Sequence, residues 1–115
     1  MDRYADLRER VAEFKDRFPA ESFKSICEEF LSATPQLLSE LETASREGNS
    51  QALAALAHKL KGSMATFGAS RMSDLARKLE IAQAGDCLGL IEELKADYSG
   101  ASRIVEAELS GGTMP

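Results

Sequence analysis

Few side chains in this chain could carry out chemistry. There is a single histidine, His58, and there are two cysteines, Cys27 and Cys87. The cysteines match no metal-binding or redox spacing, and we interpret them as buried thiols. A metal centre in a helical protein would need Glu-x-x-His pairs or several histidines, and an ATP site would need a Gly-rich phosphate loop. The sequence contains neither, so the imidazole of His58 is the candidate reactive group, acting as a nucleophile.

His58 is predicted to face solvent. The apolar residues of its segment fall within one arc of a helical wheel drawn at about 100° per residue, and they are Leu53, Leu56, Leu60, Met64 and Phe67. His58 lies roughly 160° from the centre of that arc, so its imidazole should point away from the core.

Most of the side chains around His58 are unusually small for an exposed helix face. Residues three, four and seven positions away are its neighbours on a helix, and they include Ala54, Ala55, Lys61, Gly62 and Ala65. An exposed helix face normally carries Glu, Lys and Gln. Gly62 inside a helix should cost about 1 kcal/mol relative to alanine. We interpret the alanines and Gly62 as room for another macromolecule to approach the imidazole closely.

Charged residues complete the predicted site. Lys61, one turn after His58, would attract an anionic group bound to the ring. Glu80 lies on the next helix, off its core stripe, and is the candidate partner that orients the second ring nitrogen and selects the tautomer. The other nearby basic residues could together meet an acidic surface on a partner, although each alone is typical of a solvated helix; they are Lys59, Arg71, Arg77 and Lys78.

The elements that position these residues are all predicted to be helices. Apolar residues recur at spacings of three and four, with no sustained alternation. A short first helix carries the stripe from Tyr4 to Phe18. The second begins near Ser22 or Glu21 and ends just before Gly48, and Pro35 inside it should produce a kink or local irregularity rather than two helices.

Three further helices follow. The third extends from about Ser50, a plausible N-cap, to Phe67, and Gly68 ends it. The fourth starts near Ser70, buries Met72, Leu75, Ala76 and Leu79, and closes at Gly85-Asp86. The fifth carries a stripe from Leu88 to Leu109. This pattern predicts an all-α, antiparallel up-and-down four-helix bundle with a short extra N-terminal helix. We expect one helical domain over residues 1–109 and a disordered tail over 110–115.

Composition restricts the function classes. The length of 115 residues is typical of one domain. A formal net charge of −5 argues against a nucleic-acid binder. No apolar run approaches the roughly 20 residues of a membrane span, and the charged start of the chain is unlike a signal peptide. We therefore expect a cytoplasmic protein that contacts neither nucleic acid nor membrane.

One segment closely resembles the signature of histidine phosphotransfer (Hpt) domains. It is Ala57-His58-Lys59-Leu60-Lys61-Gly62-Ser63, followed by Phe67-Gly68-Ala69 and Leu79-Glu80. The resemblance extends from the second helix, with its internal proline, to the last helix. One departure is Met64, which stands where many members have a small residue; its core position should alter packing rather than chemistry.

The resemblance implies a phosphorelay intermediate without ATP-binding or kinase machinery. Such domains accept a phosphoryl group on the imidazole Nε2 from a receiver-domain aspartate and pass it to another receiver. By this likeness His58 is phosphorylated, Lys61 stabilises the phosphoryl charge and Gly62 admits the partner's active-site loop. The partner would bring Mg²⁺, so the chain itself needs no cofactor. The remaining candidates are expected to dock the partner, a response-regulator receiver or a sensor histidine kinase: Ala54, Ala55, Lys59, Ala65, Arg77 and Lys78.

Other readings stay open. The run Ala65-Thr66-Phe67-Gly68 also resembles the phospho-accepting domain of chemotaxis-type kinases, in which a kinase phosphorylates the histidine directly and a glutamate positioned like Glu80 bonds it. A second reading is an interaction module that binds a receiver or kinase without transfer. A third is a kinase dimerisation domain, but those typically have an acidic residue after the histidine, where this chain has Lys59, and we expect a monomer.

Overall fold

The computed structural model describes residues 2–82 and 87–110. These residues form five helices and no strand: α1 (Ala5–Arg17), α2 (Ala20–Arg46), α3 (Ser50–Phe67), α4 (Ser70–Glu80) and α5 (Cys87–Leu109). The all-α prediction is confirmed. α4 ends at Glu80, and Ile81 and Ala82 are not helical, so the predicted continuation of this helix to Gly85-Asp86 is wrong. Positions 83–86 and positions 111–115 of the predicted tail lie outside the described residues. No helix in the described part of the chain is both long and apolar enough to cross a bilayer.

Four of the helices enclose one core. α3 packs against α2 and α4, and α5 packs against the same two helices, so the four form a closed ring. α1 lies outside this ring against α2, α3 and α5. The core is apolar and includes Leu41, Leu60, Leu79 and Ile91 of the ring together with Leu7 of α1, all buried. Removing side chains of this size from water stabilises the fold by about 1.5–3 kcal/mol each.

α2 continues through Pro35 as one helix, as predicted. Proline has no N–H, so the carbonyl of Leu31, one turn earlier, lacks its helical donor. The hydroxyl of Tyr98 in α5 donates to this carbonyl at 3.2 Å. The proline is therefore tolerated inside α2 because the neighbouring helix replaces the missing hydrogen bond.

The ends of α3 lie close to their predicted positions. Its N-cap is Asn49, whose side chain accepts a hydrogen bond from the Ala52 amide at 3.1 Å, so the prediction of Ser50 as the cap is wrong by one residue. Ser50 is already helical. At the other end Gly68 has φ +74°, a conformation that glycine adopts without strain. A Cβ on Gly68 would also lie 2.7 Å from the Asp6 carbonyl oxygen of α1, so the turn is closely covered by α1.

Two predicted core positions need correction. In α3 Ala57 is fully buried, like Leu60 and Met64, whereas Leu56 is only partly buried, because the buried arc is centred near Leu60. In α5 the buried stripe begins at Cys87, four residues before Ile91, and Leu88 is 58% exposed. Leu88 lies roughly 120° from the centre of that stripe, so its spacing of three from Ile91 is misleading.

Asp97 is a buried carboxylate that the hydrophobic pattern does not reveal. It is 2% exposed, and its oxygens lie 2.8 Å from Arg3 Nη1 and 2.7 Å from Arg71 Nε. The Tyr4 hydroxyl donates to the Asp97 carbonyl at 3.3 Å. A Cβ on Gly100 would collide with the Tyr4 hydroxyl, so glycine makes the space for that ring. These contacts hold the start of the chain against α4 and α5.

Candidate functional site

His58 projects outward from α3. Its side chain is 68% exposed, and its Nδ1 atom lies 2.8 Å from Glu80 Oε2. An ionised carboxylate can only accept a hydrogen bond, so Nδ1 carries the proton and donates it. In the neutral imidazole the lone pair is then on Nε2, on a side chain that is largely exposed to solvent.

Glu80 binds two residues at once. While Oε2 accepts from His58, Oε1 accepts from Lys61 Nζ at 2.9 Å. The hydrogen bond from Lys61 is the main cause that lowers the pKa of the Glu80 carboxyl, followed by that from His58, and together they outweigh partial desolvation. Glu80 is the last residue of α4, so this carboxylate links the end of α4 to the reactive turn of α3.

Gly62 lies inside α3 and is exposed. No heavy atom outside its own helical turn lies within 4 Å of the position that a Cβ would occupy. Its carbonyl accepts the Thr66 hydroxyl at 3.1 Å, a bond that does not depend on the absence of a side chain. The packing of the described residues therefore does not require glycine here, although glycine weakens a helix.

The small neighbours of His58 are accessible. Ala55 and Ala65 are exposed, and Ala54 is half-buried. Ile81 follows Glu80 directly and is 71% exposed. The side chains beside the imidazole are therefore small and leave it accessible. Ile81 adds an exposed apolar side chain next to Glu80.

The basic residues are less available than the sequence suggests. Arg77 and Lys78 are exposed, but they pair with Asp74 at 2.8 and 3.6 Å, and their spacings of three and four from Asp74 could have shown this. Arg71 pairs with the buried Asp97. Lys59 is exposed and has no carboxylate partner within the described residues. The basic patch is thus partly neutralised by the chain's own carboxylates.

Ser73 also contacts the His58–Lys61 turn of α3, which the sequence analysis did not predict. It lies in α4, and its hydroxyl donates to the Lys61 carbonyl at 3.0 Å. Its position two turns before Glu80, on the same side of the helix, is the signal that could have identified it.

The cysteines are not part of this site. Both are buried, as predicted. Burial raises the pKa of the Cys27 thiol to about 11, so this thiol stays protonated and unreactive at neutral pH.

Comparison with known proteins identifies the family. A family model for the Hpt domain matches residues 25–104, a range that includes His58, Lys61, Gly62 and Glu80. No curated protein and no solved structure gives a significant match to the chain. The matched range is well over half of the 115 residues. Hpt domains act in two-component phosphorelays as phosphotransfer modules that interact with receiver domains and kinases, and this chain belongs to the Hpt domain family.

Proposed function

We propose that this chain is a phosphorelay carrier that accepts a phosphoryl group on Nε2 of His58 from a receiver-domain aspartate and passes it to a second receiver. The observation that carries the proposal is the 2.8 Å contact between His58 Nδ1 and Glu80 on an exposed imidazole. Because Nδ1 is engaged, the nucleophilic lone pair of Nε2 is directed at solvent, where a partner's aspartyl phosphate can approach it.

The transfer step needs only the groups that meet in the complex. The Nε2 lone pair attacks phosphorus, an N–P bond forms, and the bond from phosphorus to the receiver's carboxylate oxygen breaks. That carboxylate leaves with the electron pair, while the Nδ1 proton stays on the ring and is shared with Glu80. Passing the group on reverses these events at the aspartate of the second receiver. No water and no redox partner enters the step.

Lys61 and the partner would supply the positive charge. Lys61 Nζ is paired with Glu80 at 2.9 Å, within one turn of the imidazole, so its flexible side chain can reach a phosphoryl group on Nε2. The receiver would bring Mg²⁺ and a lysine of its own, and these would provide most of the transition-state stabilisation. We propose that the chain itself uses no cofactor.

Gly62 and the alanines around His58 would form the docking surface. The missing Cβ of Gly62 leaves open space, and a receiver loop could occupy it. The partner's acidic site would be contacted by Lys59, Arg77 and Lys78. Arg77 and Lys78 would do so by exchanging Asp74 for a partner carboxylate. Such rim charges act mainly on the rate of association.

The finer architecture supports this function. We propose that α2–α5 form an antiparallel up-and-down bundle within one domain over residues 1–109. The pairings of Lys61 with Ser73 and of His58 with Glu80 support opposite directions for α3 and α4, because the later residue of α4 meets the earlier residue of α3. We further propose a cytoplasmic monomer, and the buried cysteines suit a reducing compartment.

The test is transfer from labelled donors. Purified receivers carrying a ³²P-aspartyl phosphate are mixed with the wild-type chain and with His58→Gln. We expect acid-labile label on the wild type and none on the variant. Label that appears equally on both proteins, or on neither with every receiver and kinase tried, would overturn the proposal.

A specific observation favours a second candidate. The hydrogen bond between Glu80 and His58 is the contact that the resemblance to chemotaxis-type kinases implies, so the donor could be a kinase catalytic domain acting directly on His58. Incubation with a panel of kinases and ATP, without any receiver, separates the two. Label from kinases alone would favour this second function, and label from receivers alone would favour the relay.

A further inference from the structure

Ser73 makes an unusual hydrogen bond for a serine inside a helix. Such serines commonly bond a carbonyl of their own preceding turn, as Ser102 does with the Ser99 carbonyl at 3.1 Å. Ser73 instead donates to the Lys61 carbonyl of the neighbouring helix at 3.0 Å. That carbonyl lies inside α3, where the Ala65 amide is its helical donor. The Ser73 bond therefore satisfies no orphaned backbone group, and what it adds is a tie between α3 and α4.

The tie lies on the same side of α4 as the reactive pair. Glu80 comes two turns after Ser73, and residues seven apart are rotated by only about 20° around a helix. Both residues contact Lys61, Ser73 at the carbonyl and Glu80 at Nζ at 2.9 Å. Glu80 also reaches His58 Nδ1 at 2.8 Å. α4 is thus attached to the reactive turn of α3 at two points along one strip.

Glu80 needs such a fixed point because it ends α4. Helix termini open more readily than helix interiors, and the next described residues are Ile81 and Ala82, outside the helix. A hydrogen bond weakens once its donor and acceptor separate beyond about 3.2 Å. A sub-ångström slide of α4 along α3 would therefore loosen the contact between Glu80 and His58.

We propose that Ser73 is a positioning residue for the phosphotransfer reaction: its bond to the Lys61 carbonyl fixes α4 where Glu80 holds His58 with Nδ1 protonated and Nε2 available. This inference rests on the proposed function for its consequence on transfer, but its effect on the histidine is independent of any partner. Ser73 acts through Glu80 and does not touch the phosphoryl group.

The experiment measures the tautomer of His58 directly. Ring ¹⁵N chemical shifts are recorded at a pH where the imidazole is neutral, for the wild type, Ser73→Ala and Ser73→Thr. We expect Ser73→Ala to move His58 from the Nδ1–H form towards the mixture of an unrestrained imidazole. We also expect phosphorylation by phosphoramidate, a small donor, to slow by roughly three- to tenfold, the effect of losing one positioning hydrogen bond. Ser73→Thr keeps the hydroxyl and should restore both properties.

The matched control is Ser102→Ala, which removes a hydroxyl bonded within its own helix. It should leave the tautomer and the phosphorylation rate unchanged. If Ser73→Ala lowers the melting temperature but leaves the His58 tautomer as in the wild type, Ser73 is merely structural and the proposal fails. If the wild type takes no label from phosphoramidate or from any receiver, the proposed function fails, while the tautomer comparison still decides whether Ser73 positions Glu80.

Discussion

Glu80 accepts a hydrogen bond from His58 Nδ1 at 2.8 Å, and this contact leaves Nε2 as the unprotonated nitrogen of the neutral imidazole. The second oxygen of the same carboxylate holds Lys61 at 2.9 Å. A phosphoryl group on Nε2 would add negative charge within reach of Lys61, so the lysine would exchange one anion for another. Under the proposed function, the cation that the phosphorylated state would require is therefore already in place.

The Glu80 contacts should make stability depend on pH. The pKa of Glu80 is held below its usual value of 4.5 by Lys61 and His58, so between the folded and unfolded pKa values the unfolded chain binds more protons. The resulting stabilisation is complete above about pH 5 and is lost as the pH falls below 4.5 through the folded-state pKa. Urea unfolding of wild type and Glu80→Gln should show a difference in free energy that shrinks as the pH falls below about 4.5.

The matched comparison for that experiment is Glu29→Gln, an exposed glutamate of α2 without an ion-pair partner in the described part of the chain. Its difference from the wild type should vary far less with pH. A Glu80→Gln difference that grows as the pH falls would contradict the assignment.

Gly62→Ala should change stability and transfer in opposite directions. The added Cβ meets no atom within 4 Å, so the free energy of unfolding should rise by about 0.5–1 kcal/mol through helix propensity. Transfer from a phosphorylated receiver should fall by about tenfold or more, since the methyl group occupies the space of the partner's loop. Labelling by phosphoramidate should be unaffected, because this donor is too small to reach the methyl group.

Gly89→Ala is the control for Gly62→Ala. Gly89 lies in α5 and also has open space where a Cβ would be. This variant should be stabilised in the same way but transfer phosphate at the wild-type rate. Equal loss of transfer in both variants would show that Gly62 is not a point of partner approach.

The exposed face of α3 and its C-terminal end could be predicted because they depend on local spacing. His58 opposes the arc of Leu60 and Met64, and Gly68 follows the last apolar residue of the helix, so neighbouring positions decide both features. The place of Glu80 on the next helix, off its core stripe, makes it a candidate partner of His58. Whether the two side chains meet depends on how α3 and α4 pack, which the spacing does not give.

Other features depend on contacts between distant parts of the chain. Asp97 can be buried because Arg3 pairs with it, although the two residues are 94 positions apart in sequence. The periodicity of apolar residues does not reveal such a pairing. The pairing of Tyr98 with the Leu31 carbonyl depends on how α5 packs against α2. Leu88 is exposed because the buried stripe of α5 begins one residue earlier, at Cys87. The spacing of apolar residues is compatible with either start, so it does not decide between them.

Tyr98→Phe should reveal the role of the proline in α2. The variant keeps the ring that packs against Phe30 but leaves the Leu31 carbonyl without a donor, which should cost about 1–2 kcal/mol. In a Pro35→Ala background the new amide can bond that carbonyl, so the same change should cost less. A double-mutant cycle by urea unfolding measures the difference. Equal costs in both backgrounds would mean that Tyr98 does not compensate for Pro35.

Asp97→Asn should loosen the N-terminal segment without affecting transfer. It removes the charge that Arg3 and Arg71 share, and both arginines are about half exposed, so they can be solvated. We expect a loss of about 1–3 kcal/mol in the free energy of unfolding and faster amide hydrogen exchange in α1. Asp74→Asn, which affects an exposed carboxylate, should leave exchange in α1 unchanged. Unaltered exchange in Asp97→Asn would contradict the anchoring role.

Under the proposed function, His58 both receives the phosphoryl group and passes it on. The most direct measurement charges the chain from a labelled receiver, isolates it from that donor and adds a second, unlabelled receiver. Loss of label from His58 with matching gain on the second receiver, and no labelling of His58→Gln at the first stage, is the predicted result. Label that stays on the chain, or is released only as inorganic phosphate with every receiver tried, would contradict the role of His58 as a phosphoryl carrier.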